Sequence, residues 1–424
     1  MTSVLTAVTH RHETALVSAL EAAPGLTLVR RCADLAELLS TGAAGVARVA
    51  VVSPDLRGLD RDALRHLAGH GVRVAGLAAP QDEDGERRLR QLGVATVLRP
   101  EDDAATVGAA LTALADGATS HVPEAADDGP PDPLPARPER PTPVTVVWGP
   151  GGAPGRSTVA VTLAAQLATA GVRTLLVDLD TWGASVSQLL GLVDEAPGVA
   201  AAARASEQGA LDVPGLARLA PEALPGLRVL TGLPRADRWP EVRAAAVEDV
   251  LRLARSVADH VVVDTAAPLE DDEELSYDTM APRRNAAALT ALEAADALVV
   301  VGAADAVSLQ RLVRGVQEVA TLPAPPPTVV VNKVRAGVAG PKPERAIRDV
   351  LGRFAGLEDV RFLPWAADDC DAAVLAGRAL PEVRPRSPLC LAVADLAAAL
   401  DDRAPVVGAR SRGARAGRRR RVRV

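Results

Sequence analysis

The segment VTVVWGPGGAPGRSTVAVTLA, residues 144–164, decides how the rest of the chain is interpreted. It begins with the β-branched run VTVVW, continues through a turn rich in glycine, and ends in the apolar run VAVTLA. This order predicts a buried strand, a tight turn and a helix that begins near Ser157. Because the N–H groups of such a turn and the positive end of the helix dipole converge, the segment predicts an anion-binding site.

The turn carries residue types that hold phosphate. Its glycines tolerate positive φ and allow phosphate oxygens to approach the backbone closely, and Ser157 offers a hydroxyl for Mg²⁺. Arg156 stands where phosphate loops usually have lysine; it keeps the charge but presents a planar fork. Five residues separate Gly149 from Gly155, where the common pattern has four. The predicted nucleotide ligands of this segment are Gly149, Gly151, Gly152, Gly155, Arg156, Ser157 and Thr158.

Three later strand-like runs end in polar residues. RTLLVDLD brings Asp178 and Asp180, HVVVD brings Asp264, and TVVVN brings Asn332. Ligands of open α/β sheets bind at the carboxyl ends of the strands. We therefore expect the carboxylates to address a metal ion and a water, and the amide to contact an adenine.

Short β-type runs alternate with helical runs on both sides of a proline-rich segment. This alternation predicts an α/β protein with two doubly wound parallel sheets. The expected division is a first domain over 1–116, a linker over 117–143, a nucleotide-binding domain over 144–402 and a disordered tail over 403–424. The runs that predict strands are SVLTAV, LTLVRR, ARVAVVS, VRVAGLA, ATVLR, VTVVW, RTLLVD, LRVLTG, HVVVD, ALVVVG, TVVVN and VRFLP.

The composition excludes several classes of protein. Aromatic residues make up 2% of the chain, which is too few for a surface that stacks the bases of single-stranded nucleic acid. No run of roughly 18 apolar residues predicts a membrane-spanning helix. The three cysteines are scattered, so neither a disulfide framework nor a zinc site is predicted. We expect a cytoplasmic protein.

The order of these motifs resembles that of the MinD/ParA group of P-loop ATPases, over residues 144–402. The late run FLPWAADDCDAAVLAGRALPEVRPRSP, residues 362–388, also resembles that group. The resemblance implies ATP and Mg²⁺ as ligands and a P-loop NTPase fold. It also implies a nucleotide-dependent dimer.

The resemblance assigns a role to each strand-end residue. It implies that Asp180 positions the attacking water, that Asp178 lies near Mg²⁺, and that Asp264 is the Walker B aspartate. Ser157 becomes the Mg²⁺ hydroxyl and Asn332 the adenine contact.

Two lysines of the family are absent from this chain. Pro150 stands at the position of the signature lysine that reaches across the dimer, and Arg156 at that of the P-loop lysine. We therefore expect ATP hydrolysis to be weak or absent.

A receiver-like domain before such an ATPase resembles the CpaE/TadZ branch, which serves Flp pilus assembly, and actinobacterial septum-site-determining proteins. The first domain lacks the acid pair of a receiver: residues 9–12 read THRH after the first strand. Ser53 occupies the acceptor position and Asp55 comes two residues late. We therefore expect a pseudo-receiver that docks partners.

Residues 404–424 hold eight arginines and no acidic residue, on a chain with a formal net charge of −7. Such a tail favours an anionic membrane surface or DNA as partner; a solubilising disordered end is the alternative. The acidic run over 270–274 is either a solvated loop or a docking surface that responds to nucleotide. Trp182 and Trp239 are either core residues or interface anchors.

These features leave three functions open. The first is a slow ATPase that switches the localisation of pilus or division machinery, in the cytoplasm, at the inner face of the membrane or at a cell pole. The second is a non-catalytic scaffold. The third is a chromosome-partitioning ATPase that binds DNA through its tail.

Overall fold

A computed structural model describes residues 1–117, 142–192, 197–270 and 282–404. The chain forms two compact units: residues 1–140 with 205–211, and residues 141–204 with 212–424. Nearly all of the predicted linker and tail, and residues 271–274 of the acidic run, lie outside the described residues. Within the described ranges, no helix combines the length and apolar character that crossing a bilayer requires.

The first unit contains a five-stranded sheet with the order β2-β1-β3-β4-β5, in which every pair is parallel. This is a common doubly wound order. Leucines of α2, α3 and α4 pack on one face of the sheet, and those of α1 and α5 pack on the other. The elements are β1 (Thr2–Ala7), α1 (His10–Ala22), β2 (Leu26–Arg31), α2 (Leu35–Ala43), β3 (Val49–Val52), α3 (Arg61–Gly69), β4 (Arg73–Leu77), α4 (Glu83–Gln91), β5 (Thr96–Leu98) and α5 (Ala104–Asp116).

The second unit contains an eight-stranded sheet with the order β13-β12-β11-β6-β10-β7-β9-β8. Its strands are β6 (Val144–Trp148), β7 (Thr174–Leu179), β8 (Glu222–Leu224), β9 (Leu227–Leu230), β10 (His260–Thr265), β11 (Ala297–Ala303), β12 (Pro327–Val334) and β13 (Val360–Pro364). Its α-helices are α6 (Arg156–Thr169), α7 (Val186–Leu189), α8 (Gly198–Glu207), α9 (Val213–Leu219), α10 (Ala244–Val257), α11 (Ala286–Glu293), α12 (Ala306–Val319), α13 (Ala336–Ala339), α14 (Pro343–Ala355), α15 (Ala367–Ala376), α16 (Leu380–Val383) and α17 (Pro388–Leu400).

The predicted α/β class with parallel sheets is confirmed, with one departure at an edge. Strand β8 runs antiparallel to β9, because only Pro225 and Gly226 connect them, and so short a connection can only turn the chain back on itself. All other pairs of this sheet are parallel. Valine-rich β6, β10 and β11 lie in the middle and are almost entirely buried, as expected for strands covered on both faces.

A buried polar network closes the amino edge of this sheet. His260, the first residue of β10, lies with its Nδ1 2.8 Å from Oδ2 of Asp401 and its Nε2 2.9 Å from the hydroxyl of Thr145. Arg403 donates to both carboxyl oxygens of Asp401. Burial alone would raise the pKa of Asp401, but the hydrogen bonds from Arg403 and His260 hold it well below the ordinary range. The network therefore pins the end of α17 to the start of β10.

Replacing Asp401 with asparagine is expected to lower the unfolding free energy at pH 7 by roughly 3 kcal/mol, because it removes a buried carboxylate that pairs with Arg403 and His260. The folded pKa of Asp401 lies below its unfolded value, so its contribution is complete above about pH 4 and declines as the pH falls further. The difference in unfolding free energy between wild type and Asp401→Asn should therefore become smaller as the pH falls. Denaturation at pH 7 and at pH 3 measures this difference, and Asp395→Asn, at an exposed position of α17, is the control. A difference in unfolding free energy that stays constant with pH would contradict the stabilising role of the Asp401 carboxylate.

Candidate functional site

The predicted strand–turn–helix unit forms at the centre of the eight-stranded sheet. Strand β6 lies between β10 and β11, and the loop that follows it leads into α6. A Cβ atom on Gly149 would lie 2.1 Å from the carbonyl oxygen of Val301 on β11, so only glycine fits where the loop leaves the sheet. Gly155 caps α6 with a φ of 98°, a conformation that glycine adopts without strain.

Side chains hold the carbonyl groups of this loop. Five carbonyl oxygens between Gly149 and Pro154 accept hydrogen bonds from cationic or amide side chains. Because the N–H of a trans peptide points away from its C=O, the contacts at Pro150, Gly151 and Pro154 turn the next residue's N–H, that of a glycine in each case, to the opposite side. The other two carbonyl groups precede prolines, which have no N–H. The pairs are Gly149 and Pro150 with Arg156, Gly151 with Arg311, Ala153 with Lys333, and Pro154 with Asn332.

Arg156 is bound mostly to protein groups. Its Nε donates to the carbonyl oxygen of Thr265 at 3.2 Å, and its Nη1 donates to those of Gly149 and Pro150 at 3.1 and 3.4 Å. Its Nη2 lies 3.5 Å from Oδ2 of Asp180, and the side chain is only 14% exposed. The arginine therefore braces the loop against the ends of β7 and β10.

Asp264 is the buried carboxylate of the site. It is the residue before the last of β10 and lies opposite Asp178 of β7. It is completely buried, and neither of its carboxyl oxygens has a hydrogen bond. Burial, and next the charge of Asp178, hold the pKa of Asp264 well above its ordinary value, although the nearby Ser157 hydroxyl acts against this rise. A buried acid without partners, beside a hydroxyl at a helix start, suits a divalent cation and its water shell.

The other two acids are held by backbone groups. Asp178 accepts hydrogen bonds from the N–H groups of Asp180, Ser185 and Val186; burial raises its pKa to about 7, against the effect of these bonds. Asp180 accepts from the N–H groups of Trp182 and Gly183 with Oδ1. Asp178 thus shapes the turn after β7, while Oδ2 of Asp180 faces Arg156.

A cavity of about 460 Å³ opens beside the loop, within the size range of small-molecule sites. The structure brings six of the predicted residues to its wall: Gly155, Arg156, Ser157, Thr158, Asp180 and Asn332. Gly149, Gly151, Gly152, Asp178 and Asp264 are not among its lining residues. The wall also includes residues that the sequence did not single out, among them Lys333, Pro364, Trp365 and Cys370.

Asn332 uses both ends of its amide, one towards the loop and one towards its own strand. Nδ2 donates to the carbonyl oxygen of Pro154 at 2.9 Å, and Oδ1 accepts from the N–H of Lys333 at 2.8 Å. One amide hydrogen is left for a ligand. Its contact with adenine stays a prediction.

Trp182 and Trp239 both lie against the guanidinium of Arg284. Trp182 is 49% exposed, and its Nε1 donates to Oδ1 of Asn285. The guanidinium of Arg284 lies 3.8 Å from the centre of the Trp182 ring and 5.3 Å from that of Trp239. This stack rests on the turn that carries Asp180, since Arg284 also donates to the carbonyl oxygen and hydroxyl of Thr181.

The first unit has a cavity of about 630 Å³ at the carboxyl ends of β1 to β3. The buried Ser53 accepts the N–H of Thr9 at 3.2 Å there, and Glu13 is paired with Arg31. Within the described ranges of both units, no group of three or more histidine, cysteine, aspartate or glutamate side chains could hold an ion. The pseudo-receiver role stays a prediction.

Comparison with known proteins places the second unit. The sequence profile of the CobQ/CobB/MinD/ParA nucleotide binding domain matches residues 145–374, whereas no curated protein matches the chain. A ParA family ATPase from Chlorobium tepidum TLS is similar in structure, with a TM-score of 0.50, 20% identity, and coverage of 60% of this chain and 98% of that one.

The cell division ATPase MinD of Pyrococcus furiosus gives a TM-score of 0.48 with 17% identity, over 62% of this chain and 99% of that chain. The septum site-determining protein MinD of Pyrococcus horikoshii, complexed with Mg-ADP, gives a TM-score of 0.47 with 18% identity. That match covers 61% of this chain and 96% of that chain. The CobQ/CobB/MinD/ParA profile matches more than half of the residues of this chain. The chain therefore belongs to the CobQ/CobB/MinD/ParA nucleotide-binding domain family.

Proposed function

We propose that this protein is an ATP-binding switch whose nucleotide lies in the 460 Å³ cavity beside the phosphate loop. The observation that carries the proposal is the Asp264 carboxylate, completely buried and without a hydrogen bond at the end of β10. An unpaired buried carboxylate is costly, and a bound cation would remove that cost. The bonded carbonyl groups of Pro150, Gly151 and Pro154 support the same assignment, because the opposite faces of their peptides offer three glycine N–H groups to phosphates.

Mg²⁺ fits the residues around Asp264. Ser157 and Asp264 would hold it, directly or through water, and it would neutralise phosphate charge when bound. Asp178 supports this arrangement from β7, where its own oxygens are held by backbone groups.

We propose that hydrolysis is slow or absent. Asp180 is the candidate for orienting an attacking water, yet its Oδ1 accepts two N–H groups and its Oδ2 lies 3.5 Å from Arg156. The Arg156 fork is also bound to three carbonyl groups. Water activation then requires Asp180 and Arg156 to separate first.

The role of the switch is spatial in this proposal. The motif order and the domain in front of it support placement of a pilus-assembly machine, as in CpaE/TadZ-like proteins, or of a division site. Its partners would be a second copy of the chain and proteins of that machinery. The protein would act in the cytoplasm, at the inner face of the membrane or at a cell pole.

A non-catalytic scaffold is the second candidate, favoured by the internal contacts of Arg156. Chromosome partitioning through the arginine-rich tail is a third. It requires DNA binding that weakens steeply with salt and disappears when residues 404–424 are deleted.

ATP binding and turnover by the purified protein with Mg²⁺ test the proposal. We expect wild type to bind ATP and to hydrolyse it slowly. Asp180→Ala should bind ATP but lose the remaining turnover, and Arg156→Ala should lose binding because the loop loses its brace. Exposed Arg314→Ala on α12 is the control. Binding without turnover in wild type would establish the scaffold, and absence of binding would refute a nucleotide role.

A further inference from the structure

The phosphate loop lacks the lysine that usually contacts the nucleotide, so another cation is needed for that contact. Arg156 holds that position in sequence, but its Nε and Nη1 already serve three backbone carbonyls and its Nη2 faces Asp180. An arginine has five N–H donors in a rigid fork, so turning towards a ligand would break several of these contacts together. Arg156 is therefore suited to bracing the loop.

Lys333 is the other cation on the cavity wall. It comes from β12, immediately after Asn332, and reaches back to the loop, where its Nζ donates to the carbonyl oxygen of Ala153 at 2.6 Å. This bond lies at the solvent-exposed rim. An ammonium has three donors, so two remain after the bond to Ala153.

Backbone strain marks the same contact. Among the described residues, the non-glycine positions with positive φ are Ala153, at 51°, and Lys333, at 62°. Each such conformation costs roughly 1 kcal/mol or more for an L-residue. The two strained residues are joined to each other by the Lys333–Ala153 hydrogen bond. Ala153 also lies in the interval that holds one residue more than the common pattern.

We infer that Lys333, rather than Arg156, is the cation that contacts the bound nucleotide. The strained backbone directs its side chain from β12 over the loop, and the carbonyl of Ala153 holds the ammonium beside the cavity. Its two remaining N–H groups then donate to phosphate or ribose oxygens. This inference rests on the proposed nucleotide site and adds a specific residue to it.

Chemical footprinting of lysine tests the contact directly. The chain has two lysines, Lys333 and Lys342, and Lys342 is exposed at the start of α14. Reductive methylation with and without ATP and Mg²⁺, read by peptide mass spectrometry, should show several-fold protection of Lys333 by nucleotide. Lys342 should react equally in both samples and is the internal control. Equal reaction of Lys333 in both samples, under conditions where ATP binds, would overturn the inference.

Two variants separate contact with the nucleotide from support of the fold. Lys333→Met keeps the length of the side chain but removes the charge, and should weaken ATP binding about 10- to 100-fold. Lys333→Gly also removes the positive-φ strain, so it should weaken binding without lowering the thermal midpoint of the apo protein. Lys342→Met should bind as wild type does.

The salt dependence gives a readout that a purely structural role would not change. Wild-type affinity should fall with ionic strength more steeply than that of Lys333→Met, because one screened charge contact is lost in the variant. If wild type binds no nucleotide, the proposed function itself fails. If wild type and Lys333→Met bind equally, only the inference about Lys333 fails.

Discussion

Replacing Gly149 with alanine is expected to lower the unfolding free energy of the second unit by about 3 kcal/mol or more. The new Cβ atom would lie 2.1 Å from the carbonyl oxygen of Val301 and 3.1 Å from its carbonyl carbon. These are backbone atoms of β11, so no side-chain rotation relieves the overlap. Strand β6 or β11 has to shift in the middle of the sheet, where overpacking is most costly.

Gly151→Ala is the matched control, because a Cβ there meets nothing within 4 Å. Tryptophan fluorescence during urea unfolding reports on the second unit alone, since it contains every tryptophan of the chain: Trp148, Trp182, Trp239 and Trp365. The denaturation midpoint should fall for Gly149→Ala and change little for Gly151→Ala. Similar midpoints for the two variants would show that the close approach of the loop to β11 is not a constraint.

Replacing Asp264 with asparagine is expected to abolish the effect of Mg²⁺ on nucleotide binding. In wild type, the carboxylate should make ATP binding roughly 100-fold tighter with Mg²⁺ than with a chelator, which corresponds to about 3 kcal/mol for a strong charged contact. In Asp264→Asn the two affinities should converge. The apo protein should change little in stability, because asparagine has the same shape and Asp264 makes no hydrogen bond that the substitution would remove.

Calorimetric titration of ATP with and without Mg²⁺ measures this effect, and Asp395→Asn is the control for a carboxylate on the surface. An Asp264→Asn protein that still binds ATP more tightly with Mg²⁺ would remove Asp264 from the cation site. A large loss of apo stability would instead give the carboxylate a structural role.

The sequence predicts the strands well because their signal is local. Each apolar run that predicts a strand overlaps one of the observed strands, and the runs in the middle of the second sheet are buried on both faces. Strand β8 has no such signal: it is three residues long and contains Glu222. Its pairing depends on the short turn before β9, so the hairpin is defined by the connection rather than by a hydrophobic pattern.

The location of the site is predictable from the sequence for the same reason. Strand ends and the glycine-rich turn indicate where ligands meet, and Ser157, Asp180 and Asn332 do share one cavity. The contacts of the side chains are not predictable, because they depend on tertiary structure. Arg156 lies within reach of Thr265, more than one hundred residues later, and Lys333 reaches Ala153 through a backbone conformation that no sequence pattern marks.

The network of His260, Asp401 and Arg403 fixes the position of the last described residues of the second unit. Arg403 also donates to the carbonyl oxygen of Asp259, so the last described residues lie at the start of β10, whereas Asp264 lies near the end of the same strand. Four residues of strand separate these points by roughly 13 Å. The last described residues and the proposed cation site therefore lie at opposite ends of one central strand, so a fluorophore placed at the former would sit about one strand length from the latter.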